Sequence, residues 1–341
     1  MAGLAEIARA AGVSVSTVSR VLNRRAGVND ETRQRVLAVL AEMPYTPRGL
    51  GALQRTGVVG LLVPELSNPV FPAFAEALET RASRLGYASL LCNTRSASMR
   101  EEEYVRMLLA RGVEGMVFVS PEITNTGGED VHGYYAKLLA DGVQMVFVNG
   151  GAPALDVPDV AVDEQLAGYL ATRHLIELGH TRVGFVSGPA RSLPSRLKRA
   201  GWTAALEEAG VRADPAWVAH APFGAEGGAE AVARLLDSGA RPTAVICSSD
   251  HMALGVLREA HRRGISVPRE LSVVGFDDIP MASYCAPALT TLAQPIDEMA
   301  RAAVDELSQR LDPDGRRTVG GSYSRVFRPR LVVRESTAPP A

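Results

Sequence analysis

Residues 14–23, SVSTVSRVLN, set three serines, a threonine, an arginine and an asparagine among three valines and a leucine. On a helix advancing 100° per residue from Val15, Thr17, Val18, Val21 and Leu22 occupy an arc of about 200–340°. Val15, Ser16, Ser19, Arg20 and Asn23 occupy the arc from 0° to about 140°. One face is therefore aliphatic and fit for burial, while the other offers small hydroxyls, an amide and a guanidinium. The major groove of DNA admits a helix with small side chains at its leading end, and an arginine can take guanine O6 and N7 together. The chemistry expected of this stretch is hydrogen bonding to base edges.

Such a helix must be held by others. Leu4, Ile7, Ala8 and Ala11 recur at helical spacing, Gly12 breaks the pattern, and Ser14 is placed to cap the next helix. A third helix is predicted from Asn29 or Asp30, with Val36, Val39, Leu40 and Met43 as its apolar stripe and Pro44 as its stop. Residues 1–57 carry Arg9, Arg20, Arg24, Arg25, Arg33, Arg35, Arg48 and Arg55 against Glu6, Asp30, Glu31 and Glu42. The whole chain is −2, so a small basic head precedes an acidic body.

From residue 57 short apolar runs alternate with helical segments. The runs are GVVGLLVPE, ASLLCN, GMVFVS, QMVFVN, RVGFVSG, TAVICSS and LSVVGF. Alternation of this length predicts parallel sheets with helices on both faces, and the number of units predicts two doubly wound subdomains with a cleft between them. The fold class is α/β with a three-helix head.

Several chemistries lack their residues. No glycine-rich nucleotide fingerprint follows a strand. Cys92, Cys247 and Cys285 have no metal-ligand spacing, the histidines are scattered, and Cys92 and Cys247 read as buried apolar thiols. No nucleophile is paired with a base, so neither an enzyme nor a cofactor or metal is expected. No apolar run is long enough to span a membrane, and the N-terminus lacks the layout of a signal peptide, which places the expected site of action in the cytoplasm.

LAEIARAAGVSVSTVSRVLN with GVNDETRQRVLAVLAEMPYTP closely resembles the helix-turn-helix of the lactose-repressor (LacI/GalR) family of bacterial transcription regulators. The resemblance continues through LLVPELSNPVF, HLIELGHTRVGFVSGP, SDHMALG, VPRELSVVGFDDIP, LTTLAQP and LVVRES. It implies a DNA-binding head over 1–46, a hinge over 47–57 and a periplasmic-binding-protein-like effector domain over 58–341. Its first lobe would span about 58–160 and 291–320, its second about 161–290 and 321–335. By the same resemblance Val15, Ser16 and Arg20 read bases, and Ser14, Thr17, Ser19, Asn23, Asn29 and Thr32 approach phosphates. Leu50 and Leu53 are the candidate minor-groove wedges of the hinge. That hinge is shorter than usual, like that of maltose-regulator-like actinobacterial members, and Gly49 and Gly51 each disfavour a helix by about 1 kcal/mol.

Sugar recognition needs an aromatic platform and groups that take paired hydroxyls, carried on loops at strand ends. Asp277 leaves the strand LSVVG at such an end and matches the family's effector-binding aspartate. Phe223 matches the aromatic platform, Asn68 and Phe71 the first-lobe loop, and Asp163 falls near the lobe junction. The family's effector-contacting arginine is Lys198 here, with Arg196 close by, and Ser249 replaces a frequent asparagine. A lysine favours neutral hydroxyls over carboxylates or purines. The function expected is a homodimeric repressor of carbohydrate metabolism that reads a pseudo-palindromic double-stranded operator under control of a mono- or oligosaccharide. The rivals are a nucleoside or purine effector on the same architecture, a sugar-binding protein without regulatory role, and an α/β enzyme.

Overall fold

Gly12, at φ 65°, turns the chain between helices α1 (Leu4–Ala11) and α2 (Val15–Leu22), a conformation that costs glycine no Cβ clash. The Ser14 hydroxyl accepts from the Thr17 backbone N–H at 3.1 Å and caps α2. Asn29 does the same for α3 (Asp30–Glu42), its Oδ1 accepting from the Thr32 N–H at 2.9 Å. Ile7, Ala8, Ala11, Val18, Val21 and Val36 close a small core between the three helices.

The computed structural model describes residues 4–22, 28–42, 56–94, 99–126, 129–151, 154–239, 241–312 and 324–341. The chain forms two compact units, Met1–Thr56 and Gly57–Ala341. The expected hinge, including Leu50 and Leu53, lies almost wholly outside the described residues.

The second unit opens with β1 (Val58–Val63), α4 (Val70–Arg84), β2 (Ala88–Asn93), α5 (Glu101–Ala110), β3 (Gly115–Val119), α6 (Ile123–Thr126), α7 (Glu129–Ala140), β4 (Gln144–Val148) and β5 (Asp159–Val162). It continues with α8 (Glu164–Glu177), β6 (Val183–Ser187), α9 (Leu193–Glu208), β7 (Val218–His220), α10 (Ala225–Asp237), β8 (Ala244–Cys247), α11 (Asp250–Arg262), β9 (Ser272–Asp277), α12 (Met281–Tyr284) and β10 (Thr290–Ala293). Then α13 (Ile296–Leu311), β11 (Ser324–Phe327) and β12 (Arg330–Val332) complete it. Seven of the strands coincide with the seven apolar runs of the sequence. β3 and β9 are buried along their whole length, as strands covered by helices on both faces must be.

Two six-stranded sheets result, ordered β11-β5-β4-β3-β1-β2 and β12-β10-β9-β8-β6-β7. Every pairing is parallel except β10 with β12. The chain therefore crosses between lobes three times: after β5, after β10 and between β11 and β12. These crossings correct the expected lobe boundaries. β5 stays in the first sheet to Val162, β10 stays in the second to Ala293, and β11 at 324–327 belongs to the first sheet rather than the second lobe. A crossing strand keeps its ladder partners to its last residue, so the boundaries fall a few residues later than the resemblance implies.

Within the second lobe, helix pairs approach until their backbones touch. A Cβ on Gly168 of α8 would lie 2.0 Å from the Lys198 carbonyl oxygen, and one on Gly201 of α9 would lie 1.9 Å from that of Gln165. The same reciprocal arrangement joins α10 and α11 through Gly228 and Gly255. Only glycine permits such contact.

The C-terminal segment straps the second lobe. The Val273 N–H donates to the Ser336 carbonyl at 2.8 Å, and the Thr290 N–H to the Ser336 hydroxyl at 2.8 Å. His180 Nε2 donates to the Ala338 carbonyl and its Nδ1 accepts from Thr243, both at 2.9 Å, while His174 meets Thr337 at 3.0 Å. Burial lowers the pKa of both imidazoles below the ordinary 6.5. As pH falls, the unfolded chain takes up these protons first. Their stabilisation is complete above about 6.5 and is lost below it, until the folded imidazoles also protonate. Asp250, raised by burial to about 6, acts in the opposite sense. The imidazole contribution is thus read as a difference: thermal unfolding of His174→Gln/His180→Gln should fall less than wild type between pH 7.5 and 5.5. An equal fall would remove the imidazoles from the pH response.

Candidate functional site

In the first unit α2 buries Val18 and Val21 and half-buries Thr17, whereas Val15 and Ser16 are exposed. Val15 keeps 46% of its surface in solvent at the leading end of the helix, where a methyl-bearing side chain can meet a thymine methyl. Ser14 Oγ lies 2.8 Å from both Ser16 Oγ and Thr17 Oγ1, which fixes three hydroxyls in one cluster. Asn29 is exposed and Thr32 half-buried at the start of α3. Ser19 and Arg20 occupy α2 on the same face as Val15 and Ser16 by helical period; their side chains, and Asn23, lie outside the described residues.

The second unit holds a cleft between its lobes, built from loops at the carboxyl ends of strands. Asn68 and Phe71 reach it from the start of α4, and Ser120 and Asn149 from the ends of β3 and β4. Lys198, Phe223, Ser249 and Asp277 line the opposite wall, with Glu164, Ser192, Phe276 and Gln294 among them. Ser120, Asn149 and Asp277 are non-glycine residues at φ 48°, 54° and 123°, and such backbone strain gathers where function over-determines geometry.

Local chemistry explains each placement. Phe223 packs so closely on Gly188 that a Cβ there would sit 2.4 Å from the ring. Ser249 caps α11, accepting from the Met252 N–H at 3.2 Å. Gln294, on the second crossing, donates to Asp277 Oδ1 at 2.7 Å and accepts from Asn149 Nδ2 at 3.2 Å. One side chain thereby ties the end of β4 in the first lobe to the end of β9 in the second. Burial, then the charge on Asp250, push the Asp277 carboxyl well above the usual carboxylate range. Asp250 itself is held by the Thr291 hydroxyl at 2.5 Å and the Ile279 N–H at 2.9 Å. Lys198 is ion-paired with Glu164, and its Nζ stands 3.7 Å from the centroid of Phe276. The Ser192 hydroxyl is buried on this wall with no hydrogen-bond partner among the described residues.

Residues 3–48 match the profile described as bacterial regulatory proteins, lacI family, and residues 172–337 that of a periplasmic binding protein-like domain. The uncharacterised HTH-type transcriptional regulator in the aml 5′ region of Streptomyces limosus is 43% identical over 338 residues, covering 98% of this chain and 94% of its own. The chain belongs to the LacI family. The HTH-type transcriptional regulator MalR of Streptomyces coelicolor is 40% identical over 340 residues, 98% of this chain and 96% of that one. Among solved structures, the CelR–cellobiose complex superposes with a TM-score of 0.73 at 29% identity, covering 98% and 100% of the two chains. The lac repressor dimer bound to operator and an anti-inducer gives 0.71 at 28% identity, covering 99% of each. This LacI-family chain is a DNA-binding transcriptional regulator, with a helix-turn-helix head and a two-lobed body.

Within this LacI-family cleft, six of the eight expected residues come together: Asn68, Phe71, Lys198, Phe223, Ser249 and Asp277. Two do not line it. Asp163 is the N-cap of α8, its Oδ1 accepting from the Leu166 N–H at 2.8 Å, and its neighbour Glu164 faces the cleft instead. Arg196 is exposed, because two residues along α9 turn it to the far side from Lys198. Gln294 and Ser192 were missed. Gln294 stands in LTTLAQP, a quoted family motif, but its role depends on the crossing that brings it to Asp277. Among the described residues no group of three or more His, Cys, Asp or Glu is placed to hold a metal ion. No helix among them is long and apolar enough to cross a membrane.

Proposed function

We propose that this regulator is a cytoplasmic homodimeric repressor of carbohydrate-metabolism genes, released from or locked onto its operator by a neutral sugar bound between the lobes. The observation that carries this reading is the cleft: Phe223 offers a ring face for the apolar side of a pyranose, while Asn68, Asp277 and Ser192 offer hydrogen-bonding groups around it. The named relatives include the ribose operon repressor of Haemophilus influenzae, 32% identical over 341 residues, and the cellobiose complex above, both in keeping with a sugar effector. Exposed Leu90 and Leu91 on the edge strand β2, and Tyr284 at α12, suit contact with a second copy.

Coupling follows from Gln294. A ligand that engages Asp277 competes for or reinforces the bond that ties the two lobes, so lobe arrangement and ligand occupancy are linked reciprocally, typically by about 1–3 kcal/mol. No turnover is expected, since among the described residues lining the cleft no serine hydroxyl is hydrogen-bonded to a basic side chain. A thermal-shift screen of mono- and oligosaccharides tests the reading: one neutral sugar should stabilise the protein and change its affinity for DNA fragments selected from a randomised pool. Stabilisation by nucleosides alone, or by a sugar that leaves DNA affinity unchanged, would replace it.

The head carries its own expectation. Arg20→Ala should weaken binding to the selected DNA by about 1–3 kcal/mol and relax preference at one base pair, whereas Thr32→Ala should weaken all sequences alike. Gel shifts on the selected fragment and its point variants separate the two. A uniform loss from Arg20→Ala would move that residue to the phosphate backbone.

A further inference from the structure

Charge in the cleft is one-sided. Of the described residues lining it, Glu65, Glu164 and Asp277 are acidic and Lys198 alone is basic. Lys198 is almost fully buried and is already engaged: Glu164 pairs with its ammonium, and the face of Phe276 lies beneath it. Glu164 is itself buried and is the first residue of α8, where a carboxylate also answers the positive end of the helix. The close approach of Gly168 to the Lys198 backbone, and of Gly201 to that of Gln165, holds α8 and α9 at the distance that brings the two side chains together.

We propose that Glu164 sets the charge selectivity of the cleft. By engaging Lys198, it leaves no free cationic side chain among the described residues lining the cleft to meet a phosphate or carboxylate, so uncharged polyols are admitted in preference. This inference rests on the sugar-effector reading above and names the residue that decides which sugars qualify. Neutralising Glu164 while keeping its shape would leave a buried ammonium without its partner. An anionic ligand would then supply the missing charge.

The test compares wild type with Glu164→Gln, using maltose, cellobiose and ribose as neutral probes and glucose 6-phosphate and glucuronate as anionic ones. Affinities come from calorimetry at low and moderate salt. Wild type should bind neither anion measurably. Glu164→Gln should gain at least about tenfold for one anion relative to wild type, and Glu164→Gln/Lys198→Gln should lose that gain. The gain is read on the anions themselves, so it is decided whether or not a neutral probe binds. Failure of all neutral sugars would sink the sugar reading, whereas no anion gain in a folded Glu164→Gln would sink this one. Anion binding by wild type as tight as that of any neutral probe would also overturn it. If Glu164→Gln gives no cooperative unfolding transition, Glu164→Asn takes its place.

Discussion

Asp277→Ala is expected to give a regulator that still binds DNA and no longer responds to its effector. The carboxyl is buried at the cleft, accepts from Gln294 at 2.7 Å, and sits where burial and Asp250 both oppose its charge. Truncating a buried, hydrogen-bonded charged group at a binding site costs about 2–5 kcal/mol. Effector affinity should therefore fall by about 30-fold or more, measured by calorimetry with the sugar found in the screen. The head is a separate unit with its own core, so DNA affinity without effector should stay within a few-fold. Stability should move the other way. A carboxyl whose folded pKa is raised lowers the stability of the folded state at pH values above its unfolded pKa, so the Asp277→Ala melting temperature at pH 7.5 should equal or exceed that of wild type. A large drop in melting temperature would recast Asp277 as a structural residue.

Gly201→Ala is the second large effect. A single methyl would meet the Gln165 carbonyl oxygen at 1.9 Å and the Tyr169 backbone nitrogen at 2.6 Å. Both are backbone atoms, and neither can swing aside as a side-chain terminus would. Overpacking of a close-packed interior costs about 1–3 kcal/mol, and relief here requires α8 and α9 to separate. Separation draws Lys198 from Glu164, so the variant should both unfold at lower temperature and bind its effector more weakly. Gly210→Ala provides the contrast. Its φ of 70° carries backbone strain, but an added Cβ meets nothing within 4 Å, so it should lose stability without losing ligand affinity. If Gly201→Ala binds effector as wild type does, helix spacing does not set the cleft.

Much of this was legible in the sequence where periodicity reports burial directly. The angular split of α2 placed Val18 and Val21 inside and Val15 and Ser16 outside, and seven apolar runs became seven strands. Asp163 and Arg196 show where such reading stops. A carboxylate just before a helix can turn back to cap it or forward into a cleft, and composition does not distinguish these. Asp163 turned back and Glu164 turned forward. Arg196 and Lys198 are both cationic residue types, and only their angle on α9 separates them. Gln294 depends on a contact between residues 149, 277 and 294, which no local pattern encodes.

The three crossings also bear on the order in which the protein can be made. The described core of the head draws on residues between Ile7 and Val39. The first sheet lacks its β11 edge until Phe327 has been synthesised, and the second waits for β12 and for the Ser336–Ala338 strap. Both lobes thus remain unfinished while nearly the whole chain emerges from the ribosome, with β5 awaiting a partner about 165 residues downstream, a topology that folds slowly and is exposed to aggregation. The DNA-reading part can fold early, and the part that governs it can fold only at the end.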